Sequence, residues 1–132
     1  MATIKLYTDL EQSKKLAEIL PNKSADMAWY PSYAKNGYSI RMLNDSYPLD
    51  IIGGEHDEIP AWSLAALLNI LPVSCDDGQH CLALINPNPN EKTEWLCAYE
   101  DDNGNLMMEC YADSQIDACV AMIVKLNKLK LL

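Results

Sequence analysis

The sequence predicts an α+β fold, with three helices packed on a mainly antiparallel sheet of about five or six strands in the order α-ββ(β)-α-βββ-α. Three observations lead there. Asn36-Gly37 and Asn103-Gly104 each lie between aromatic and apolar runs, the signature of a two-residue hairpin turn. Three other segments carry helix start and stop signals. Hairpin-linked strands between helices leave no room for parallel crossovers, so the pairing is antiparallel. A chain of 132 residues accommodates one domain, residues 1–132, with a proper core.

The first helix lies in "TDLEQSKKLAEILP", where Thr8 and Glu11 read as a capping box and Pro21 stops the run. Leu10, Leu16, Ala17, Ile19 and Leu20 form its buried stripe. Two strands follow around Asn36-Gly37, and Pro31, which cannot donate to a ladder, places the first of them at an edge or breaks it there. "LDII", before Gly53-Gly54, is a candidate third strand.

From Ile59 to Cys75 there is no charged residue, and this silence marks the second helix, Pro60 to Leu71. Pro60 suits a first helical position, Glu55, Asp57 and Glu58 suit the positive end of the helix dipole, and Pro72 ends the run. Leu64, Leu67, Leu68 and Leu71 make one stripe, with Trp62, Ala65, Ala66 and Ile70 opposite. A helix apolar all round is buried on more than one side, here between the sheet and the last helix, or against a second copy of the chain.

Asp77-Gly78 turns into "QHCLALI", which reads as a central strand, and "TEWLCAYE" and "NLMMECY" flank the second Asn-Gly pair. The last helix is "DSQIDACVAMIVKLNKLKLL", with Asp113 or Ser114 as N-cap and lysines at its negative end. "AEILP" and "LNILP" end the first two helices fifty-one residues apart, which leaves a duplicated helix-plus-hairpin unit open.

The net charge is −9, and from Met42 to Asp117 fifteen carboxylates face one cation, Lys92. Phosphate-backbone binding needs clustered Lys and Arg, so nucleic acid is not expected as a direct partner, whereas a basic protein surface suits this charge. The longest uncharged stretch is broken by Pro60, Asn69 and Pro72 and is short for a bilayer span, so no membrane partner is expected. The opening "MATIKLYTDLEQ" lacks the pattern of a secretory signal. Five cysteines, an odd number, fit buried thiols in a reducing cytoplasm better than a disulfide framework.

Chemical motifs are sparse. Cys75, His80 and Cys81 have metal-capable side chains, but C-x5-C lacks the paired spacing of structural zinc, and a strand would send His80 and Cys81 to opposite faces. A Cys-His nucleophile pair has no local signature here. His56 stands among Glu55, Asp57 and Glu58, which reads as a solvated acidic loop before a helix. No Walker loop, GxGxxG, HExxH or GxSxG occurs, so the expectation is no cofactor, no metal and no catalytic residues. Half of the ten aromatics, Trp29, Tyr30, Tyr33, Tyr38 and Tyr47, fall between Trp29 and Pro48. Tyr and Trp tolerate half-wet positions and dominate interface hot spots, so these five are the candidate partner-binding residues.

"LYTDLEQSKKLAEILPNKSADM", "IPAWSLAALLNILP" and "DACVAMIVKL" together resemble a group of small proteins encoded by gut Bacteroides, often within phage-like and mobile elements. The resemblance covers most of the chain, is most specific in the first segment and weakest from Trp29 to Glu58. It implies a bacterial, intracellular, accessory role and carries over no functional residues. The expected function is therefore non-enzymatic protein–protein binding, alone or as a homodimer. The alternative is a small enzyme or ligand-binding domain with a pocket that uses His56 or Cys81.

Overall fold

The structure is a computed structural model that describes residues 5–35, 37–50, 57–76, 78–86 and 94–132. Among the described residues it is an α+β fold with three α-helices and six strands, but the strands form two separate three-stranded antiparallel sheets rather than one. The chain gathers into two compact units, Tyr7–Ala66 and Leu67–Leu132 with Met1–Leu6.

In the Tyr7–Ala66 unit, α1 spans Leu10–Ala17 and buries Ser13 and Leu16. Its capping box is one residue later than the sequence suggests. The Asp9 carboxylate accepts from the Gln12 N–H at 2.8 Å, and the Gln12 side chain accepts from the Asp9 N–H at 3.0 Å. Thr8 is displaced from that role because it is fully buried and employed elsewhere. Its hydroxyl accepts from the Trp62 N–H at 3.1 Å and shares a hydrogen bond with Ser13 Oγ at 2.7 Å. Its own N–H donates to the Trp62 carbonyl at 3.0 Å.

The sheet of this unit runs β2-β1-β3, with β1 at Met27–Pro31, β2 at Tyr38–Met42 and β3 at Ile59–Ala61. The Pro31 strand is thus central and not at an edge. Pro31 is tolerated because β3 pairs only as far as Trp29, and because pairing towards β2 alternates. Ser32 N–H bonds the Gly37 carbonyl at 3.0 Å, which puts the Pro31–Tyr38 pair at a position needing no N–H from proline. The β1–β2 connection is longer than a two-residue turn, with Gly37 at φ +80°; Asn36 lies outside the described residues.

Of the expected strand "LDII", Leu49 and Asp50 are not in a strand, and Ile51 and Ile52 lie outside the described residues. The third strand comes from Ile59–Ala61, which the sequence suggests as helix. Pro60 sits opposite Ala28, in the edge strand, where a missing donor costs little. The second helix, α2, therefore spans only Leu64–Ile70. Ser63 caps it, accepting from the Ala66 N–H at 3.2 Å, and is itself held by Asp26, whose carboxylate takes both the Ser63 N–H (2.9 Å) and its hydroxyl. Nor is α2 buried all round as expected: Leu67 and the following Leu71 are buried, but Ala65 and Asn69 are exposed.

In the other unit the sheet runs β4-β5-β6, with β4 at Cys81–Ile85, β5 at Trp95–Glu100 and β6 at Leu106–Ala112. β4, read above as central, is an edge strand; β5 is central, and Leu96, Cys97, Ala98 and Tyr99 are all buried. The β5–β6 turn is a three-residue loop closed by Asp101. Its N–H donates to the Asn105 carbonyl and its carbonyl accepts from the Gly104 N–H, both at 3.0 Å. Gly104 takes φ +81°, the left-handed position such loops require.

The last helix, α3, spans Gln115–Lys128 with Ser114 as N-cap, packs on β5 and β6, and buries seven residues, among them Ile116, Cys119, Met122, Ile123 and Leu126. Its C-terminus closes as a Schellman motif. Leu131 N–H bonds the Leu126 carbonyl at 2.9 Å and Lys130 N–H the Asn127 carbonyl at 3.1 Å, which forces Lys130 to φ 58°. Glycine adopts that conformation without Cβ strain. Lys130→Gly is therefore expected to stabilise the protein by about 0.5–1 kcal/mol, read as a higher midpoint in chemical denaturation.

Candidate partner-binding site

The five aromatic candidates do not form one patch. Register places Trp29 and Tyr38 on one face of the β1–β2 pair and Tyr30, beside Ser39, on the other. All three are half-buried. Trp29 is engaged within its own unit: its Nε1–H donates to the Thr8 carbonyl at 3.2 Å, and its ring meets that of Tyr7 edge-on at 5.7 Å. Tyr33 and Tyr47 stand in solvent, at 108% and 71% exposure. They lie in the segments beyond opposite ends of β2, a strand of five residues.

Tyr47 belongs to a loop organised by Arg41. Arg41 is the single arginine of the chain. Its Nε donates to Glu58 Oε2 at 2.6 Å and its Nη2 to Glu58 Oε1 at 2.5 Å, a two-pronged ion pair. Nη2 also reaches the Pro48 carbonyl at 2.7 Å, and Nη1 the carbonyls of Tyr47 at 2.8 Å and Met42 at 3.3 Å. All five guanidinium donors are thereby committed. Glu58 in turn accepts from the Asp50 N–H at 2.8 Å, and its own N–H donates to the Asp50 carbonyl at 3.0 Å. Asn44 tightens the same loop, its side chain accepting from the N–H groups of Ser46 and Tyr47, each at 2.9 Å.

The outcome is a braced loop with its backbone drawn inward and its side chains facing out. Met42 is 61% exposed beside Tyr47, and Pro48 is exposed as well. A cavity of about 440 Å³ lies between residues 46–50, Arg41 and Glu58. With every Arg41 donor used internally, that cavity presents no guanidinium to an anion. Arg41 and Glu58 are legible only indirectly, as the lone arginine and as the last acid before the uncharged run, and Met42 carries no signal of its own.

The residues of the alternative pocket are placed differently. His56 lies outside the described residues. Cys81 opens β4 with an exposed thiol that reaches the Gly78 carbonyl at 3.7 Å. His80 is tied through Nδ1 to Asp76, whose other oxygen accepts from the His80 N–H at 2.6 Å. Burial pushes the Asp76 carboxyl up, but the hydrogen bonds from His80 outweigh it and leave the group below its usual range. Burial, reinforced by the neighbouring Asp76, raises the Cys75 thiol, so it is not a ready thiolate. Among the described residues no group of three His, Cys, Asp or Glu side chains could hold a metal ion, and no helix is long and apolar enough to cross a membrane. All five cysteines are free.

The hydrogen bonds from Arg41 hold the Glu58 carboxyl below its ordinary range against the opposing effect of burial, and the same pairing raises Arg41. Lysine, a point charge with three donors, cannot replace a five-donor fork, and Glu58 is only 9% exposed. Arg41→Lys is expected to cost about 3 kcal/mol in chemical denaturation, the low end for breaking a buried pair because Arg41 is partly solvated. Since Glu58 has a lowered folded pKa, the stability it contributes is complete above the unfolded carboxylate range, about 4.3, and is lost as pH falls through the folded value. Acid titration of stability should accordingly be shallower below that range in Glu58→Gln than in the wild type. No protein-family model matches the chain, and no curated protein or solved structure shows significant similarity to it.

Proposed function

We propose that the chain is a non-enzymatic accessory protein of bacterial, mobile-element origin that acts in the cytoplasm by binding another protein. The observation that carries this reading is the loop on Arg41. Three backbone carbonyls, of Met42, Tyr47 and Pro48, converge on one guanidinium while their side chains project outward. Fixing the backbone in advance lowers the ordering cost of association, and Tyr and Met are enriched in interface cores. Asp45, Asp50 and Asp57 surround this patch in sequence, so the partner that fits it offers an apolar socket rimmed by Lys and Arg.

A second reading, a small enzyme or ligand-binding domain using Cys81, draws support from the Asp76–His80 pair, an oriented imidazole close to the thiols. It has a weaker basis, because burial and the neighbouring Asp76 hold the Cys75 thiol in its protonated form.

Tyr47→Ala distinguishes a binding residue from a packing one. Stability should change by no more than about 0.5 kcal/mol, since the ring is solvated. Affinity for the partner, identified by co-purification from the native host and then titrated in pure form, should fall about thirtyfold, the effect of losing a hot-spot aromatic. Affinity unchanged in both Tyr47→Ala and Met42→Ala would remove the patch from the interface.

A further inference from the structure

The second sheet has an unprotected edge. β6 is an outer strand of β4-β5-β6 and, at seven residues, the longest strand among the described residues. Outward-facing N–H and C=O groups on such a strand are a template for another strand, and proteins usually blunt them with Pro, Lys, bulges or a covering segment. The other edges show such devices. β3 has three residues, includes Pro60, and is extended by the Thr8–Trp62 hydrogen bond. β4 is flanked by the Ser74–Cys81 bridge and the bond from the Leu82 N–H to the Val73 carbonyl at 2.9 Å. β2 has five residues and gives way at once to the Arg41 loop.

β6, "LMMECYA", has no Pro, Gly, Lys or Arg, and its one register shift lies at the turn end, opposite Tyr99 and Glu100. Among the described residues no backbone group of β6 bonds outside its pairing with β5. Leu106, Met107 and Tyr111 are 38%, 42% and 50% exposed.

The two faces beside that edge differ in chemistry. Cys110 pairs with Cys97, which packs against Cys119 of α3, so Met108 and Cys110 lie on the helix side. There Met108 is buried, Cys110 half-buried, and Lys125 of α3 stands close to Cys110. On the opposite face Glu109 and Tyr111 are exposed, and Glu109 is the strand's one charged residue. A second copy of this chain would bring another acidic strand to that face, from a molecule of net charge −9.

We infer that β6 is a docking edge for an extended segment of another protein that adds as a fourth strand, with apolar residues towards α3 and basic residues alternating towards Glu109. Backbone pairing supplies affinity and the two faces supply the period-two selectivity. This surface is separate from the Tyr47 loop, and its test does not touch that loop.

The probe is a capped peptide of alternating valine and lysine, matched to the seven residues of β6, with a control of the same composition arranged in two blocks. The alternating peptide should bind at least about tenfold tighter than the control, and Glu109→Lys should weaken it by a similar factor. Amide hydrogen exchange in the wild type should slow across β6 on binding, while β3 is unchanged; this measurement stands even if Glu109→Lys folds poorly. Equal affinity for the two peptides reduces the effect to bulk charge and overturns the inference. So does failure of the alternating peptide to bind at about 1 mM, a free-energy threshold near 4 kcal/mol. A wild-type chain that self-associates with β6 amides already protected assigns the edge to a second copy and overturns it too.

Discussion

A buried or half-buried backbone group must find a hydrogen-bond partner, and short strands leave many such groups outside a ladder. The Tyr7–Ala66 unit meets that constraint with side chains. Arg41 collects three carbonyls that no strand reaches, and Glu58 fixes Arg41 while also bonding Asp50. Thr8 does the corresponding work beside β3, through its N–H, its hydroxyl and its carbonyl. Asp26 holds Ser63, which starts α2. The shape of the loop that carries Tyr47 follows from these few polar side chains more than from apolar burial.

The Leu67–Leu132 unit depends on ordinary packing instead. A central strand buried along four successive residues and a helix with seven buried ones need few polar adjustments. Within it, Cys97 and Cys119 meet at zero exposure, and the neighbouring sulfur together with burial pushes the Cys97 thiol far up. These two sulfurs behave as small apolar groups, since the thiolate is the reactive form.

The parts that were legible in the sequence are those governed by local chemistry. Both hairpins exist, each with its glycine at positive φ but with a longer loop than the two-residue turn that Asn-Gly suggests, and Ser114 caps α3 as its signal suggests. What was misread depends on competition between sites. Thr8 and Asp9 are both good caps, and the buried demand of Trp62 for an acceptor decides between them. Ile59 to Ala61 carries no charge and has a proline, which suits a helix start as well as an edge strand; only the presence of β1 alongside selects the strand. Pro31 could not reveal that β1 is central, because the pairing that makes it so comes from residues 59–61. The Arg41 loop was illegible for the same reason: three of its acceptors are backbone carbonyls, whose identity leaves no trace in side-chain pattern. In the aromatic segment, composition does not separate the exposed Tyr33 and Tyr47 from the half-buried Trp29, Tyr30 and Tyr38, because that division follows from strand register and loop position.

The long-range contact between Lys5 and Asp117 bears on how the chain is made. The Lys5 ammonium reaches Asp117 at 2.8 Å in the first turn of α3, across a sequence separation of 112 residues. Residues 5 and 6 belong with Leu67–Leu132, and the whole Tyr7–Ala66 unit is inserted between them. During synthesis, which delivers residues in order at about 5–20 per second, the inserted unit has all its residues before α3 exists. Lys5 must wait several seconds, on that scale, for its acid. The nascent chain is thus expected to complete the inner unit first and to close the outer one last, in a vectorial order written into the threading of the backbone.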